Sequence, residues 1–267
     1  MDQQIGTIQK NISLHSGYYL LEVEICDQIS WRSSLPGQFV MVRIPEHREL
    51  VLRRPFSIFD VAEGRLVLLY KVVGRGTAAL SRCLPGTPLD ILGPLGNGFP
   101  REMADRRLVL VAGGYGVAAL HRLARQLGTG SILVYGARTS AELLCIEELR
   151  RTGCRLMPVT EDGSFGEKGT AVSVLDRLLA EHPRRPDLAV AACGPIPMLR
   201  SVVHISQAYG VSSWVSLERH MACGVGTCLG CVVRVRESDW RCVCTEGPVF
   251  SGEEIDWDAL AEEKEPR

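Results

Sequence analysis

Residues 108–120 read LVLVAGGYGVAAL. Leu108 to Ala112 form a continuous apolar run, the pattern of a parallel strand covered on both faces. Gly114-Tyr-Gly116-Val-Ala-Ala119 follows at once and fits the G-x-G-x-x-A form of a dinucleotide loop. Glycine lets the backbone turn sharply and approach a pyrophosphate, whose charge then meets the free amides at a helix start. Gly113, Gly114 and Gly116 are therefore candidate nucleotide contacts. A plain tight turn would use glycine too, but the position between a buried strand and a helix favours the nucleotide loop. The apolar run is thirteen residues long and holds three glycines, too short and broken to cross a bilayer.

Outward from this stretch the pattern alternates. A helix over 117–127, a strand over 131–135, a helix over 140–151 and a strand over 155–160 are expected. A helix over 171–181, a strand over 188–192 and a helix over 197–209 follow. Strict alternation predicts a doubly wound α/β domain, assigned to residues 102–212. Such a site wants an acid on the ribose about twenty residues after the glycines. Here the segment is VYGART, with Arg138 at that place. Arginine there could face an adenine or a 2′-phosphate, so NAD against NADP stays open. Cys193 and Gly194, in Cys193-Gly-Pro195, follow the fourth strand at the carboxyl edge where open sheets bind ligands. Taken alone, Cys193 reads as a small buried residue.

Residues 1–101 have another texture. Short alternating runs at 20–26, 38–44, 55–59, 65–73 and 87–92, separated by turns such as LPGQ, AEG and LPGT, predict an antiparallel β-barrel. A short helix is expected at Thr77. Arg54-Pro-Phe-Ser57 and the GRGT of residues 74–77 each join a polar group to rigid or glycine backbone. Arginine offers a two-pronged fork for phosphate. Phe56 could stack on a flat ring, although core packing is the usual role of a single Phe. The basic group His47, Arg48, Arg53 and Arg54 reads as a solvated edge or a phosphate contact.

The formal net charge is −1, from 30 basic and 31 acidic residues without a long basic block, which argues against nucleic acid or an anionic membrane as partner. MDQQIGTIQKN lacks a secretory pattern. A cytoplasmic, reducing setting is expected, in which clustered thiols bind metal.

Residues 221–231 read MACGVGTCLGC. Cys223, Cys228 and Cys231 have the C-x4-C-x2-C spacing of plant-type [2Fe–2S] sites, which take a distant fourth cysteine. Cys242 and Cys244 are the candidates for it. Zinc is the alternative, but its ligands usually come as two short knuckles. Gly224, Gly226 and Gly230 also favour iron, because they let the backbone wrap its N–H groups around sulfur. Cys26, Cys83, Cys145 and Cys154 read as buried small hydrophobes. This C-terminal region, 213–267, is expected to form a small cluster domain with a strand over 232–235 and a frayed EEKEPR tail. The six histidines are scattered and His220 reads as a surface residue, so no constellation for abstracting a substrate proton is visible.

RPFS, GRGT, GPLGNGF, VAGGYGVAAL, YGAR, CGPIPM, SLERHMACGVGTCLGC and VCTEGPVF occur in an order that resembles the electron-transfer subunits of type B dihydroorotate dehydrogenases, within the ferredoxin–NADP reductase superfamily. The resemblance implies FAD on the barrel, contacted by Arg54, Pro55, Phe56, Ser57, Leu69, Tyr70, Lys71, Gly76 and Thr77. It implies a nicotinamide nucleotide on the α/β domain and a [2Fe–2S] cluster on Cys223, Cys228, Cys231 and Cys244, the last standing just before the TEGPVF run. Phe56 stands where related reductases often have tyrosine, and Ala119 where proline is usual. The implied function is a relay. An FMN-containing catalytic subunit, two copies with two of this chain, oxidises dihydroorotate, and electrons pass through the cluster and FAD to NAD⁺ in pyrimidine biosynthesis. The alternatives are a flavin subunit of an NAD(P)H:ferredoxin or sulfide oxidoreductase, and a zinc-stabilised nucleotide-binding interaction module.

Overall fold

The computed structural model describes residues 1–262 except 16, 27–28, 46–48, 182–186 and 237–238. The expected frayed tail beyond Glu262 lies outside the described residues. The barrel is built from β1 (Asp2–Ser13), β2 (Tyr18–Glu24), β3 (Phe39–Arg43), β4 (Arg54–Ala62), β5 (Arg65–Lys71) and β6 (Pro88–Leu95). It closes in the order β1-β2-β5-β4-β3-β6. Two short helices, α1 (Ile29–Arg32) and α2 (Arg75–Leu80), sit in its connections. The interior is apolar, with Ile8, Leu21, Val23, Val40, Val42, Leu66, Leu68, Leu89 and Ile91 all fully buried. Closure explains β1, which the alternation did not flag. DQQIGTIQKNIS is mostly polar, yet both of its edges are paired, to β2 and β6. It needs only an inward row that includes Gly6 and Ile8. A Cβ on Gly6 would lie 2.7 Å from Val23 Cγ1, so only glycine lets the strands meet there.

The α/β half carries β7 (Arg107–Gly113), α3 (Val117–Leu127), β8 (Ser131–Ala137), α4 (Ile146–Arg150), β9 (Arg155–Thr160), β10 (Glu167–Lys168), α5 (Ala171–Ala180), β11 (Leu188–Cys193), α6 (Ile196–Ala208) and β12 (Ser212–Ser216). The helix expected over 140–151 is cut short. Residues Ser140–Glu142 form a 3₁₀ turn, Cys145 takes a left-handed φ of 53°, and only Ile146–Arg150 is α-helical. The interrupting Leu143 and Leu144 are buried, and Leu144 donates its N–H to Tyr135 Oη at 2.8 Å. Burying that pair against β8 requires an irregular chain.

Beyond β12 the chain forms the hairpin β13 (Val232–Arg234) and β14 (Trp240–Cys242), then β15 (Val249–Ser251) and α7 (Trp257–Glu262). β15 pairs antiparallel with β12, so the sheet runs β10-β9-β8-β7-β11-β12-β15. β12 straddles the expected border at residue 212, and the cysteine region shares a sheet with the nucleotide half. Cys26 is exposed rather than buried, because β2 ends at Glu24 and leaves it beyond the paired rim. Cys83 and Cys145 are half-buried and Cys154 is buried. Among the described residues no helix is long and apolar enough to cross a membrane.

Helix α3 bolts the two halves together. The His121 ring stacks on Phe59 with centroids 4.0 Å apart, and its Nδ1–H donates to the Phe59 carbonyl at 2.9 Å. Buried Arg122 donates to Ser34 O at 2.8 Å and Ser34 Oγ at 3.0 Å. Arg125 meets Asp60 at 2.6 Å. Burial holds the His121 imidazole below its ordinary 6.5, and Arg125 pushes the same way, while Asp60, the Phe59 carbonyl and Glu148 oppose it. The depressed folded value means that His121 contributes stability above pH 6.5, lost progressively as the pH falls below it and the unfolded chain takes up the proton. Urea midpoints should therefore fall on acidification below that pH, and His121→Gln should flatten that dependence.

Candidate redox site

On the barrel, RPFS and GRGT are brought together. A Cβ on Gly76 would lie 2.4 Å from Arg54 Nε, so the Arg54 side chain runs across a glycine face. Its Nη1 donates to the Leu52 carbonyl. Thr77 Oγ1 accepts the N–H groups of Val73 and Gly74 at 2.9 and 3.2 Å and shapes the turn before α2. Pro55 and Ser57 are half-buried on β4. Phe56 points into the barrel and meets Tyr70 edge-on at 5.7 Å, which is core packing. Tyr70 is buried too, stacks on Tyr19 and donates its hydroxyl to Asn11 Oδ1 at 3.1 Å; burial pushes that hydroxyl well above its ordinary 10. Leu69 faces the other way, into the core shared with the α/β half, and Lys71 Nζ stands 4.9 Å over the Tyr18 ring. Arg53 is no free phosphate contact, because Asp90 holds it at 2.6 Å. His47 and Arg48 lie outside the described residues.

The nucleotide motifs converge at the switch point. β7 and β11 are neighbours, and GGYG and CGP leave their adjacent carboxyl ends. A Cβ on Gly116 would lie 2.5 Å from the Cys193 carbonyl, and one on Gly194 2.5 Å from Met198 Cε. A Cβ on Gly113 would lie 2.7 Å from Met198 Sδ, and Gly114 takes a φ of 53°. Cys193 is buried, and burial followed by the Glu218 charge raises its thiol far above the usual range. Tyr115 and Glu218, which stand inside quoted motifs without an assigned role, bridge this edge. Tyr115 lies 6.4 Å from the Tyr18 ring and donates its hydroxyl to Glu218 Oε2 at 2.8 Å. Glu218 stands at the exit of β12, five residues before Cys223.

Arg138 leaves β8 where a dinucleotide fold places its ribose acid, and its exposed guanidinium pairs with Glu142. Glu142 grips it, with Nη2 to Oε1 at 2.5 Å and Nε to Oε2 at 3.2 Å. The bond to Arg138 holds the Glu142 carboxyl below its ordinary range, so it is charged at neutral pH. A carboxylate thus stands beside Arg138 from four residues further on, on the 3₁₀ turn.

At the C-terminal end, Cys223 Sγ receives the N–H groups of Val225 and Cys228 at 3.4 and 3.5 Å, and Cys244 Sγ that of Gly226 at 3.1 Å. Burial opposes a thiolate at Cys223, but the surrounding N–H donors of Val225, Cys228 and Thr227 prevail and bring its thiol down to about 6. Cys244 is raised to about 12, by burial first and by the neighbouring Cys231 thiol next. Gly224 and Gly226 supply the left-handed φ values of 73° and 79° that turn these amides inward. Among the described residues no three metal-binding side chains focus on one ion. Four sulfurs shared between two irons do not need to, and N–H groups already aimed at sulfur suit a cluster. Cys242 lies in β14 with its N–H bound to Glu246 Oε2 at 2.7 Å.

Residues 218–256 match the iron–sulfur cluster binding domain of dihydroorotate dehydrogenase B, and residues 110–204 match the oxidoreductase NAD-binding domain. Across 94% of the chain and 97% of the relative, it is 33% identical to the Fusobacterium nucleatum protein named dihydroorotate dehydrogenase B (NAD(+)), electron transfer subunit. The chain belongs to that family. The Geobacillus kaustophilus protein of the same name is 40% identical over 82% of this chain and 86% of its own. A solved NADH-dependent reduced ferredoxin–NADP oxidoreductase, described in connection with flavin-based electron bifurcation, superimposes with a TM-score of 0.83 at 32% identity, covering 96% of this chain and 91% of that one. A ferredoxin reductase of carbazole 1,9a-dioxygenase shares the fold, with a TM-score of 0.65 at 22% identity over 79% and 66% of the two chains.

In this chain the Glu142 carboxylate stands beside Arg138, and a carboxylate there would repel a 2′-phosphate. Glu142→Gln should improve NADPH relative to NADH in kcat/KM by about tenfold, roughly 1.4 kcal/mol, read by steady-state kinetics with both nucleotides.

Proposed function

We propose that this chain is the electron-transfer half of an NAD-dependent dihydroorotate dehydrogenase. A partner subunit carrying FMN oxidises dihydroorotate, and this chain delivers the electrons to NAD⁺ in pyrimidine biosynthesis. The assembly is two copies of each subunit, in the cytoplasm. FAD supplies the conversion between single electrons and a hydride, which neither nicotinamide nor a [2Fe–2S] cluster provides alone. Arg54, Gly76 and Thr77 hold its phosphate side, with Pro55 and Ser57 beside them. Phe56 and Tyr70 brace that strand from within the barrel, and Leu69 and Lys71 face the α/β half.

Gly113, Gly114, Gly116, Cys193 and Gly194 open the nucleotide cleft, and Arg138 with Glu142 closes its adenosine end. Cys223, Cys228, Cys231 and Cys244 take the iron. The observation that carries the reading is the set of N–H groups aimed at Cys223 and Cys244 in a loop packed against the barrel. A second reading, a flavin subunit that exchanges electrons with ferredoxin, draws support from the likeness to the ferredoxin–NADP oxidoreductase.

The test is anaerobic purification of the chain alone and with its partner. The complex should form NADH from dihydroorotate and the lone chain should not; ferredoxin-linked activity without orotate formation would favour the second reading. Cys244→Ser should lose iron and labile sulfide, and Cys242→Ser should keep both.

A further inference from the structure

The turn that carries Cys244 holds its own shape. The Cys242 carbonyl accepts the N–H groups of Thr245, Glu246 and Gly247 at 3.2, 2.8 and 3.3 Å, and Glu246 Oε2 accepts the N–H of Cys242 at 2.7 Å. None of these bonds sets where the turn sits relative to the barrel. Asn97, two residues beyond β6, hydrogen-bonds the turn to the barrel. Asn97 Nδ2 donates to the carbonyls of Thr245 and Glu246 at 3.3 and 3.0 Å, and its main-chain N–H donates to the Gly247 carbonyl at 2.5 Å.

Both sides of the seam are prepared for it. Gly96 takes a φ of 70°, and a Cβ there would lie 2.6 Å from the Gly247 carbonyl, so the two backbones touch directly. From the barrel side Gln38 Nε2 donates to the Gly96 carbonyl at 2.7 Å, while Gln38 Oε1 accepts the N–H of Leu35 at 2.7 Å. The first cysteine loop rests on the same barrel face: a Cβ on Gly224 would lie 2.6 Å from Met41 Cγ. Gly96, Gly224 and Cys244 line one cavity of about 310 Å³ at this seam. Asn97 itself is exposed and adds nothing to the hydrophobic core.

We infer that Asn97 is the positioning residue that fixes the Cys244 turn against the barrel, and with it the spacing between the cluster and the flavin. The inference rests on the proposed function for the two groups and adds the side chain that sets their separation. An exposed side-chain amide with two bonds to main-chain carbonyls across a seam, beside a third from its own main-chain N–H, contributes order at that seam, whereas the fold rests on the buried cores beneath.

The experiment uses the anaerobically purified complex with Asn97→Ala and Asn97→Asp, the second keeping the size while removing both N–H donors. Amide hydrogen exchange over residues 242–248 should accelerate, and Asn97→Gln should restore part of the protection. Electron transfer between the two groups falls off steeply with their separation, so cluster reduction by NADH should slow several-fold. Bleaching of the flavin by NADH should stay at the wild-type rate. Loss of the cluster with flavin retained also supports the clamp. Unchanged exchange and unchanged cluster reduction overturn it. Equal slowing of both half-reactions, or loss of flavin and cluster together, overturns it as well, because Asn97 would then serve the fold at large. A wild-type complex without iron overturns the proposed function; a loaded wild type with indifferent variants overturns only this inference.

Discussion

Gathering several sulfurs at the end of this chain means bringing groups of one charge into a space that desolvates them. Burial raises a thiol and is the leading cause at Cys193 and at Cys244. The loop from Met221 to Cys231 answers with backbone N–H groups, the donors that cost no side chain and no extra volume. Turning consecutive amides inward requires left-handed backbone, which Gly224 and Gly226 adopt freely and Leu229 adopts at a φ of 56°. A loop bent in this way buries little of its own surface. It therefore has to lean on something already folded, and the barrel face around Met41 provides it.

The rest of the architecture follows from where that support lies. The nucleotide loop and the CGP loop occupy neighbouring carboxyl ends of the sheet, as the strand order demands. Glu218 links this edge to the approach to the cysteines through Tyr115. The barrel is locked to the same sheet by His121, Arg122 and Arg125 on α3. The sheet, the barrel and the sulfur loop are thus joined by buried polar side chains of α3 on one flank and by the Met41 face on the other.

Much of this was legible in the residues. The apolar run into GGYG, the barrel alternation and the cysteine spacing are local signals, and local signals survive folding. What escaped was non-local. β1 reads as polar because its pairing on both edges, rather than its side chains, makes it a strand. The helix expected over 140–151 failed because Leu143 and Leu144 answer to β8 instead of to helical period. Arg138 looked like a free cation, since nothing in VYGART announces that Glu142 will reach back from a 3₁₀ turn. Tyr115 and Glu218 are far apart in the chain, and only the sheet topology joins them. Phe56 and Tyr70 show the reverse case: they stand in a motif, and their side chains serve the barrel interior.

β15 has a consequence for how the molecule is made. The edge strand that completes the seven-stranded sheet comes from Val249–Ser251, after every cysteine of the sulfur loop. On the ribosome, β12 therefore waits with one edge bare until the whole cysteine segment has emerged. Nascent chains pass through a stage in which the thiols are out and the sheet is still open. Closure of that edge of the sheet therefore has to follow synthesis of the cysteine segment.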